Sequence, residues 1–353
     1  MFQNKPDAVI LHISDLHFGP YLQGVSRVGE WSRIAAPHDF LLVLGLEEKL
    51  LPIIREYRDK LIISVTGDLT TAAEPPAYEV VNNYLRDHPF ISDILHCGLT
   101  LQDIKDRLFF VPGNHDIWLH GRLFTRWKRY ADRREEYEKY FHPQPPDVYP
   151  LVVNSIPLTI YTIDSNHVSG FNPFNFRNVT GGGRVGRNQM RDLRSLYASL
   201  SNSAASGVDT RDGYNYEDSL KICLMHHHLQ RPDDVPLDLE QRLLELEDAE
   251  EVINLLASIG VQIVLCGHQH FPYQKTIKCS GANNPSILLS CAGTATQIDS
   301  KVNSFYVYGI KQVSTSYQLE VLKYTSRVKD GTYKFTTPQI PPSKPLIYTI
   351  DQN

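Results

Sequence analysis

The chain has 353 residues, of which 42% are hydrophobic and 21% are charged, and its formal net charge is −5. This composition is that of an ordinary globular protein and excludes a generally basic chain, so any nucleic-acid binding would have to come from a local patch. The five cysteines form no Cys-x-x-Cys pair, which favours buried thiols in a reducing compartment over a disulfide framework.

No apolar segment of the sequence reaches the roughly 20 residues that a membrane-spanning helix needs. The first apolar run, residues 8–13, is far too short for a signal sequence and suits a buried strand. We therefore expect a soluble, cytoplasmic protein without a membrane partner.

Six short apolar runs recur along the chain, and each is followed at once by polar residues. They are residues 9–13, 61–65, 108–111, 158–163, 221–225 and 261–266. Continuous apolar runs of this length are typical of central strands whose two faces are both buried.

Helical patterns lie between these runs, at residues 76–86, 122–141, 188–200 and 239–259. The first has Pro76 near its start, as helix starts tolerate, and the last is followed by Gly260, which suits the left-handed position after a helix. The alternation of strands and helices predicts an α/β fold, in which ligands collect at the carboxyl ends of the strands.

The C-terminal part has a different character. Four β-type segments follow residue 281, at 287–290, 305–310, 317–322 and 332–335, with no strong helical pattern. We expect them to complete a second sheet of one domain that covers residues 1–336. Residues 337–353 begin with a proline-rich stretch and are predicted to form an extended strap or a tail.

Potential metal ligands follow five of the six apolar runs. The five motifs are Asp15-Leu-His17, Gly67-Asp68, Gly113-Asn-His-Asp116, the triplet His226-His-His228, and Gly267-His268-Gln-His270. A soluble core does not require such a set. A site with two metal ions does, and paired metals are typical of phosphate ester chemistry.

The spacing within these motifs suits metal coordination. Residues i and i+2 of an extended segment point to the same side, so Asp15 and His17 can share one ion, as can His268 and His270. Asp68 can bridge two cations if each of its oxygens binds one. Mixed nitrogen and oxygen ligands favour Mn, Fe or Zn over Mg or Ca.

With these motifs, residues 8–300 resemble the calcineurin-like metallophosphoesterases, and the segment 255–270, LLASIGVQIVLCGHQH, also resembles the family's helix-strand-loop unit. The resemblance implies a four-layer α/β/β/α sandwich of two mixed sheets, with a dinuclear metal site at the carboxyl ends of the strands. It implies a first site with the ligands Asp15, His17, Asp68 and His270. It implies a second site with the ligands Asp68, Asn114, His227 and His268.

The ligand from the histidine triplet is the one uncertain member of this set. Family members often have a proline two residues after that ligand, whereas here Leu229 follows the triplet and the first proline is Pro232. Counting back from the usual proline position favours His227, and counting forward from the strand favours His226. We select His227, with His226 as the alternative.

The predicted reaction is attack on phosphorus by a hydroxide shared between the two cations. His115 is the predicted proton donor to the leaving oxygen, because it follows a ligand, is not one in the family pattern, and belongs to a residue type that suits general acid catalysis. Asp116 is predicted to hold the His115 imidazole in the right tautomer. The alternative is that Asp116 only closes the loop.

The substrate is less well defined by the sequence. Segments 18–39 and 166–187 carry aromatic and arginine side chains that could stack a base and hold phosphate, or could simply pack as long surface loops. Segment 121–140 has seven basic and four acidic side chains, which fits either a solvated helix with ion pairs or a nucleic-acid face.

These features support three hypotheses. The preferred one is a phosphodiesterase acting on a small nucleotide or cyclic nucleotide, with a phosphomonoesterase as a variant of the same chemistry. The second is a nuclease, which needs a basic track leading to the metals. The third is a non-catalytic scaffold, which the complete set of predicted ligands disfavours.

Overall fold

The structure is a computed structural model of the chain. It describes residues 2–19, 40–71, 73–87, 98–117, 126–141, 145–167, 182–205, 214–232, 246–280, 285–296, 302–329, 332–336 and 346–351. Residues 20–39 and 168–181, which belong to the segments predicted to contact the substrate, lie outside these ranges.

One sheet has seven strands. Its strands are β1 (Ala8–Ile13), β2 (Leu61–Thr66), β3 (Leu108–Val111), β10 (Ser304–Val313), β11 (Ser316–Lys329), β12 (Thr332–Thr336) and β13 (Leu346–Asp351). The order is β12-β11-β10-β1-β2-β3, and β13 also pairs with β11. Strands β1, β2 and β3 are parallel, with Val9 opposite Leu61 and Ile63 opposite Leu108, so their carboxyl ends lie at one edge of the sheet.

The other sheet has six strands. They are β4 (Asp147–Val153), β5 (Ile156–Thr162), β6 (Leu220–Leu224), β7 (Ile263–Cys266), β8 (Tyr273–Lys278) and β9 (Ser286–Cys291), in the order β4-β5-β6-β7-β9-β8. Strands β5, β6, β7 and β9 are parallel, and the edge strands β4 and β8 are antiparallel to their neighbours.

Six α-helices are described. They are α1 (Phe40–Tyr57), α2 (Pro75–Asn82), α3 (Asn114–Ile117), α4 (Arg126–Tyr140), α5 (Arg187–Ala205) and α6 (Ala249–Ser258). Helix α2 begins with proline, as its sequence predicts, and continues into a π turn at Asn83–Asp87. Gly260 follows α6 with a φ of 75°, which confirms its left-handed position. None of the helices within the described ranges has the length and apolar character needed to cross a membrane.

The layers follow from the alternation of side chains along the strands. In β1, Ala8 and Ile10 pack with Ile222 and Leu224 of the other sheet, whereas Val9, Leu11 and Ile13 pack with helices on the outer face. A third core lies on the outer face of the second sheet, beneath α5 and α6. The fold is therefore the predicted four-layer α/β/β/α sandwich of two mixed sheets.

Three features of the fold differ from the sequence-based expectation. Helix α1 was not predicted, although Leu42, Leu46, Leu50 and Ile53 recur at helical spacing and are buried. Of the four predicted C-terminal β-segments, only the first, which forms β9, belongs to the second sheet. The other three form β10, β11 and β12, and these strands extend the first sheet together with β13. Residues 346–351 form a strand paired with β11.

The cysteines agree with the expectation of buried thiols. Cys223, Cys266, Cys279 and Cys291 are free and buried. Cys97 lies outside the described residues.

Candidate metal centre

All predicted ligands lie at the carboxyl ends of parallel strands. Those after β1, β2 and β3 come from one sheet, and those after β6 and β7 come from the other. Because the two sheets pack face to face, their strand ends enclose one site between them. The site is therefore a product of the sandwich, with both sheets contributing side chains.

The first ligand group consists of Asp15, His17, Asp68 and His270, and one ligand atom of each lies within 4.8 Å of the others. The two Nε2 atoms of His17 and His270 are 3.1 Å apart, and His270 Nε2 is 3.2 Å from Asp15 Oδ1. His17 Nε2 is 3.9 Å from Asp68 Oδ2. All four residues were predicted as first-site ligands, and the structure brings them together.

The second group shares Asp68 with the first and adds His226 and His268. His226 Nε2 lies 3.4 Å from Asp68 Oδ2, 3.2 Å from His268 Nδ1 and 3.2 Å from Asn114 Oδ1. The amide oxygen of Asn114 therefore lies beside this group, and its role as a fourth ligand stays a prediction.

The histidine triplet departs from the prediction, which selected His227. The structure directs His226 into the group, and its other nitrogen, Nδ1, lies 2.8 Å from the backbone oxygen of Thr66. His227 instead places Nδ1 2.8 Å from Ser165 Oγ. His226, which the count forward from the strand favoured, is thus the residue that faces the group. His227, which the count back from the proline position favoured, points elsewhere, because successive residues after a strand point in different directions. His227 is corrected to a residue beside the site.

The carboxylate of Asp68 is shared through one oxygen. Oδ2 faces the ligand atoms of both groups, whereas Oδ1 accepts a hydrogen bond of 2.8 Å from the backbone N–H of His115. Oδ2 is therefore the oxygen that faces both groups, and the expectation that each oxygen serves one cation stays a prediction, because Oδ1 with one hydrogen bond keeps a further lone pair. Gly113 is required here, because a Cβ at this position would overlap the Asp68 carboxylate.

These donors fit a pair of transition-metal ions. Donor atoms about 2.0–2.2 Å from one ion lie roughly 3–3.5 Å from each other, as several of these pairs do. Asp15 Oδ1 is buried and accepts no hydrogen bond from the described residues. A buried carboxylate oxygen that accepts no hydrogen bond is costly, and a bound cation removes that cost.

The backbone at the ligands is strained in a consistent way. Five ligands from three of the motifs have positive φ angles: Asp15 at 53°, His17 at 49°, Asp68 at 49°, His268 at 74° and His270 at 52°. This conformation costs of order 1–3 kcal/mol for each non-glycine residue and persists only where the surroundings enforce it. Side-chain positions at the site are thus set by loops that the rest of the fold holds in place.

The electrostatics of the site favour cations. Burial opposes a charge on His226, yet the carboxylate of Asp68 raises the pKa of this imidazole to about 9. Burial, together with neighbouring histidines, holds the pKa of His17 and His268 well below the ordinary value, which keeps both imidazoles neutral and able to donate a lone pair. The attraction that would hold a proton at His226 also acts on a metal ion.

His115 lies on the open side of the site. Its side chain is 16% exposed, and its Nε2 is 4.0 Å from Asp68 Oδ2. Its Nδ1 is 3.3 Å from the backbone oxygen of Thr71, and its ring meets that of His17 edge-on, with centroids 4.9 Å apart. The predicted proton donor is therefore beside both ligand groups without belonging to either.

Asp116 does not hold the His115 imidazole as predicted. Its carboxylate accepts hydrogen bonds from the backbone N–H groups of Leu69, Thr70 and Gly113, at 2.9–3.1 Å. Burial, followed by the nearby charge of Asp68, raises its pKa above the ordinary value. The alternative of a loop-closing residue is the one that the contacts support, because Asp116 ties the loop after β2 to the loop after β3.

Two further groups of residues were not recognised from the sequence. Asp164, Ser165 and Asn166 follow β5; Ser165 contacts His227, and Asn166 donates to the backbone oxygen of Pro112 at 2.7 Å. Their position after a strand was visible in the sequence. Thr294 and Thr296 donate to the backbone of the first ligand loop, and no local pattern marks them.

The described side chains of helix α4 make intramolecular contacts. Arg134 pairs with Glu138 at 2.9 Å and with Asp164 at 3.3 Å, and Lys139 pairs with Glu136 at 2.7 Å. Arg133 donates to the backbone oxygen of Ala73. These contacts favour a helix with ion pairs over a nucleic-acid face for this part of α4.

Comparison with known proteins agrees with the geometry. Residues 8–272 match the family described as Calcineurin-like phosphoesterase. A purple acid phosphatase, PPD1, from yellow lupin (Lupinus luteus) seeds is 14% identical with a TM-score of 0.50; the match covers 98% of this chain and 53% of the phosphatase. This chain therefore spans about half the length of that enzyme, and the likeness concerns the fold alone.

GAP50, the anchor in the inner membrane complex of Plasmodium, is 11% identical with a TM-score of 0.49, and the match covers 98% of this chain and 89% of that one. No curated protein matches the sequence.

Proposed function

The chain belongs to the calcineurin-like phosphoesterase family, and we propose that this metal-dependent phosphoesterase is a phosphodiesterase that acts on a small nucleotide or cyclic nucleotide. The observation that carries the proposal is the pair of ligand groups that share Asp68 Oδ2, with His115 on their open side. In this arrangement a phosphoryl group held at the two ligand groups would also lie next to His115.

The residues that would hold the first cation are Asp15, His17, Asp68 and His270, and those for the second are Asp68, Asn114, His226 and His268. Such ions neutralise phosphoryl oxygens and make hydroxide available near neutral pH. We propose Mn, Fe or Zn, because the donors are mixed imidazole nitrogens and oxygens.

His115 would act as an imidazolium, donate the proton on Nε2 to the leaving oxygen, and keep the hydrogen on Nδ1. The contact of Nδ1 with the Thr71 carbonyl fixes the ring, since a carbonyl oxygen can only accept and Nδ1 must therefore carry a hydrogen. Nε2 is then the ring atom that lies toward Asp68 Oδ2, the oxygen that faces both ligand groups. Proton donation to the leaving group matters most for esters whose leaving alkoxide is strongly basic.

The preference for a nucleotide is supported by Phe271. This residue directly follows His270 and is 50% exposed, and the His270 side chain is 28% exposed. An exposed aromatic ring one residue from a partly exposed predicted ligand offers a surface on which a base can stack. The base would be the part of the substrate that lies away from the reacting phosphorus.

The test is hydrolysis of bis(p-nitrophenyl) phosphate and of p-nitrophenyl phosphate by protein loaded with Mn²⁺, with Asp68→Asn as the control. Cleavage of the diester that is lost in the control supports the proposal, and cyclic nucleotides are then the next substrates. Cleavage of the monoester alone would show a phosphomonoesterase instead. No cleavage of either ester by protein with two bound ions would favour the scaffold hypothesis.

The nucleotide preference has its own test in Phe271→Leu, which keeps an apolar side chain and removes the π-face. One stacked base contributes about 1–3 kcal/mol, so kcat/KM for a cyclic nucleotide is expected to fall roughly 5- to 150-fold. An alkyl phosphodiester without a base is the matched substrate and should be unaffected. Equal losses on both substrates would refute stacking, and processive cleavage of long single strands would indicate a nuclease.

A further inference from the structure

We propose that Thr294 and Thr296 are positioning residues that clamp the loop of the first ligand motif, residues 14–17, and so set the affinity of the first metal group. The inference rests on the metal centre of the proposed function and is independent of the substrate. Both threonines lie outside the residues 8–272 that match the family.

Residues 294–296 make hydrogen bonds to the backbone carbonyls of residues 14–16. Thr294 Oγ1 donates a hydrogen bond of 2.8 Å to the backbone oxygen of Asp15, and Thr296 Oγ1 donates to the backbone oxygen of Leu16. Between them, the backbone N–H of Ala295 donates to the backbone oxygen of Ser14 at 3.1 Å. Three successive carbonyls of the ligand loop are therefore bound by three successive residues of the segment after β9.

The opposite side of the loop is held by the second ligand motif. The backbone N–H of Asp15 donates to Gly67 O at 3.0 Å, and that of His17 donates to Asp68 O at 2.9 Å. The loop is thus bound through its N–H groups on one side and through its carbonyls on the other. Asp15 and His17 have the positive φ angles noted above, and a backbone in that conformation needs such support.

The clamp is itself attached to the first sheet. The backbone N–H of Ser304 donates to Thr294 O at 2.9 Å, and Ser304 Oγ accepts from the backbone N–H of Gly293 at 3.2 Å. Ser304 begins β10, which pairs with β1, the strand that ends at the ligand loop. Thr294, Thr296, Asp15 and Leu16 are all fully buried, so water cannot replace a missing hydroxyl donor.

The clamp is expected to affect the first metal group more than the second, because the two groups have different ligands. Asp15 and His17 belong to the first group and not to the second. Loss of the clamp therefore shifts two of the four donors of the first ion. The second group has a weaker link to this loop, the hydrogen bond of 3.2 Å that the backbone N–H of His268 donates to Asp15 Oδ2. Partners of metal ligands that lie outside the coordination shell contribute about 10- to 100-fold to metal affinity.

The experiment measures Mn²⁺ binding by calorimetry in the full chain carrying Thr294→Val or Thr296→Val, each alone. Valine keeps the branched shape and removes the hydroxyl. Each variant is expected to bind one of two ions about 10- to 100-fold more weakly, with the other affinity unchanged within about threefold. Thr294→Ser and Thr296→Ser keep the hydroxyl and are expected to restore the affinity.

Thr159→Val is the matched control for loss of a buried threonine hydroxyl. Thr159 Oγ1 contacts Tyr214 Oη at 2.7 Å and Ser219 Oγ at 2.6 Å, near the start of β6, and no metal ligand. This variant is expected to lower the melting temperature of the metal-free protein without changing either affinity. The ion affected by the clamp is identified with His270→Asn, in which Thr294→Val should cause no further loss of affinity.

Two Mn²⁺ ions bound with wild-type affinities in both valine variants would overturn the clamp and leave the metal centre intact. Serine variants as weak as the valine variants would also overturn it, because the hydroxyl would not be the cause. Wild-type protein that binds fewer than two ions would overturn the metal centre and the clamp together. The two valine variants are measured separately, so misfolding of one leaves the other as a complete test.

Discussion

The choice between His226 and His227 as a metal ligand can be tested with one matched pair of substitutions. His226→Asn removes Nε2, the atom that lies 3.4 Å from Asp68 Oδ2 and 3.2 Å from Asn114 Oδ1. The asparagine amide can still donate to the Thr66 carbonyl, which His226 Nδ1 contacts at 2.8 Å. The substitution therefore removes a ligand atom while the local hydrogen bond is kept.

We expect His226→Asn to reduce bound Mn²⁺ from two ions to one. A metal ion that acts as a Lewis acid contributes several kcal/mol to catalysis, and about 4 kcal/mol corresponds to roughly 1000-fold in rate. The assay measures kcat for bis(p-nitrophenyl) phosphate together with Mn²⁺ stoichiometry. Melting of the metal-free variant separates loss of a ligand from loss of the fold.

The matched substitution is His227→Asn, which can keep a hydrogen bond to Ser165 Oγ, the contact that His227 Nδ1 makes at 2.8 Å. Altering this hydrogen bond raises the activation free energy by about 1 kcal/mol or less, so kcat should fall by less than about tenfold. Both ions should stay bound. The reasoning is refuted if His227→Asn loses an ion while His226→Asn retains two.

Four other predictions test the remaining parts of the account. His115→Asn should keep two ions but lower kcat on alkyl esters by about 10²- to 10⁴-fold, with a smaller effect on p-nitrophenyl esters; equal effects on both would exclude proton donation. Asp116→Asn places an amide where backbone N–H groups need an acceptor, so urea denaturation should show a loss of about 1–3 kcal/mol in unfolding free energy, and no loss would contradict the loop-closing role. Gly260→Ala, at a φ of 75°, should cost about 1–2 kcal/mol of stability with kcat unchanged, and an unchanged stability would argue against the strained conformation. Chelation should abolish activity, and each Mn²⁺ restored at 100 times its Kd should add about 2.7 kcal/mol to the unfolding free energy; activity that survives chelation would contradict metal dependence.

The strands and the position of the site were predictable because both depend on local sequence. Central strands buried on both faces read as continuous apolar runs, as in Leu61–Thr66, and their carboxyl ends mark where ligands meet. The helix Phe40–Tyr57 carries apolar residues at helical spacing, so it too was predictable from local sequence.

The finer assignments depended on three-dimensional contacts that sequence does not display. Which residue of the histidine triplet faces the ions depends on how the chain turns after Leu224, and the proline count did not capture that turn. Asp116 was paired with His115 because the two are adjacent, yet its carboxylate faces N–H groups of two loops. Thr294 contacts Asp15 across 279 positions of the chain, a separation that leaves no local pattern.

The most direct test of the central claim is anomalous diffraction from crystals of the protein loaded with Mn²⁺. The account predicts two peaks about 3.5–4 Å apart, both next to Asp68 Oδ2, one among Asp15, His17 and His270 and the other among Asn114, His226 and His268. A single peak, or a second peak away from Asp68, would contradict a dinuclear centre bridged by this residue.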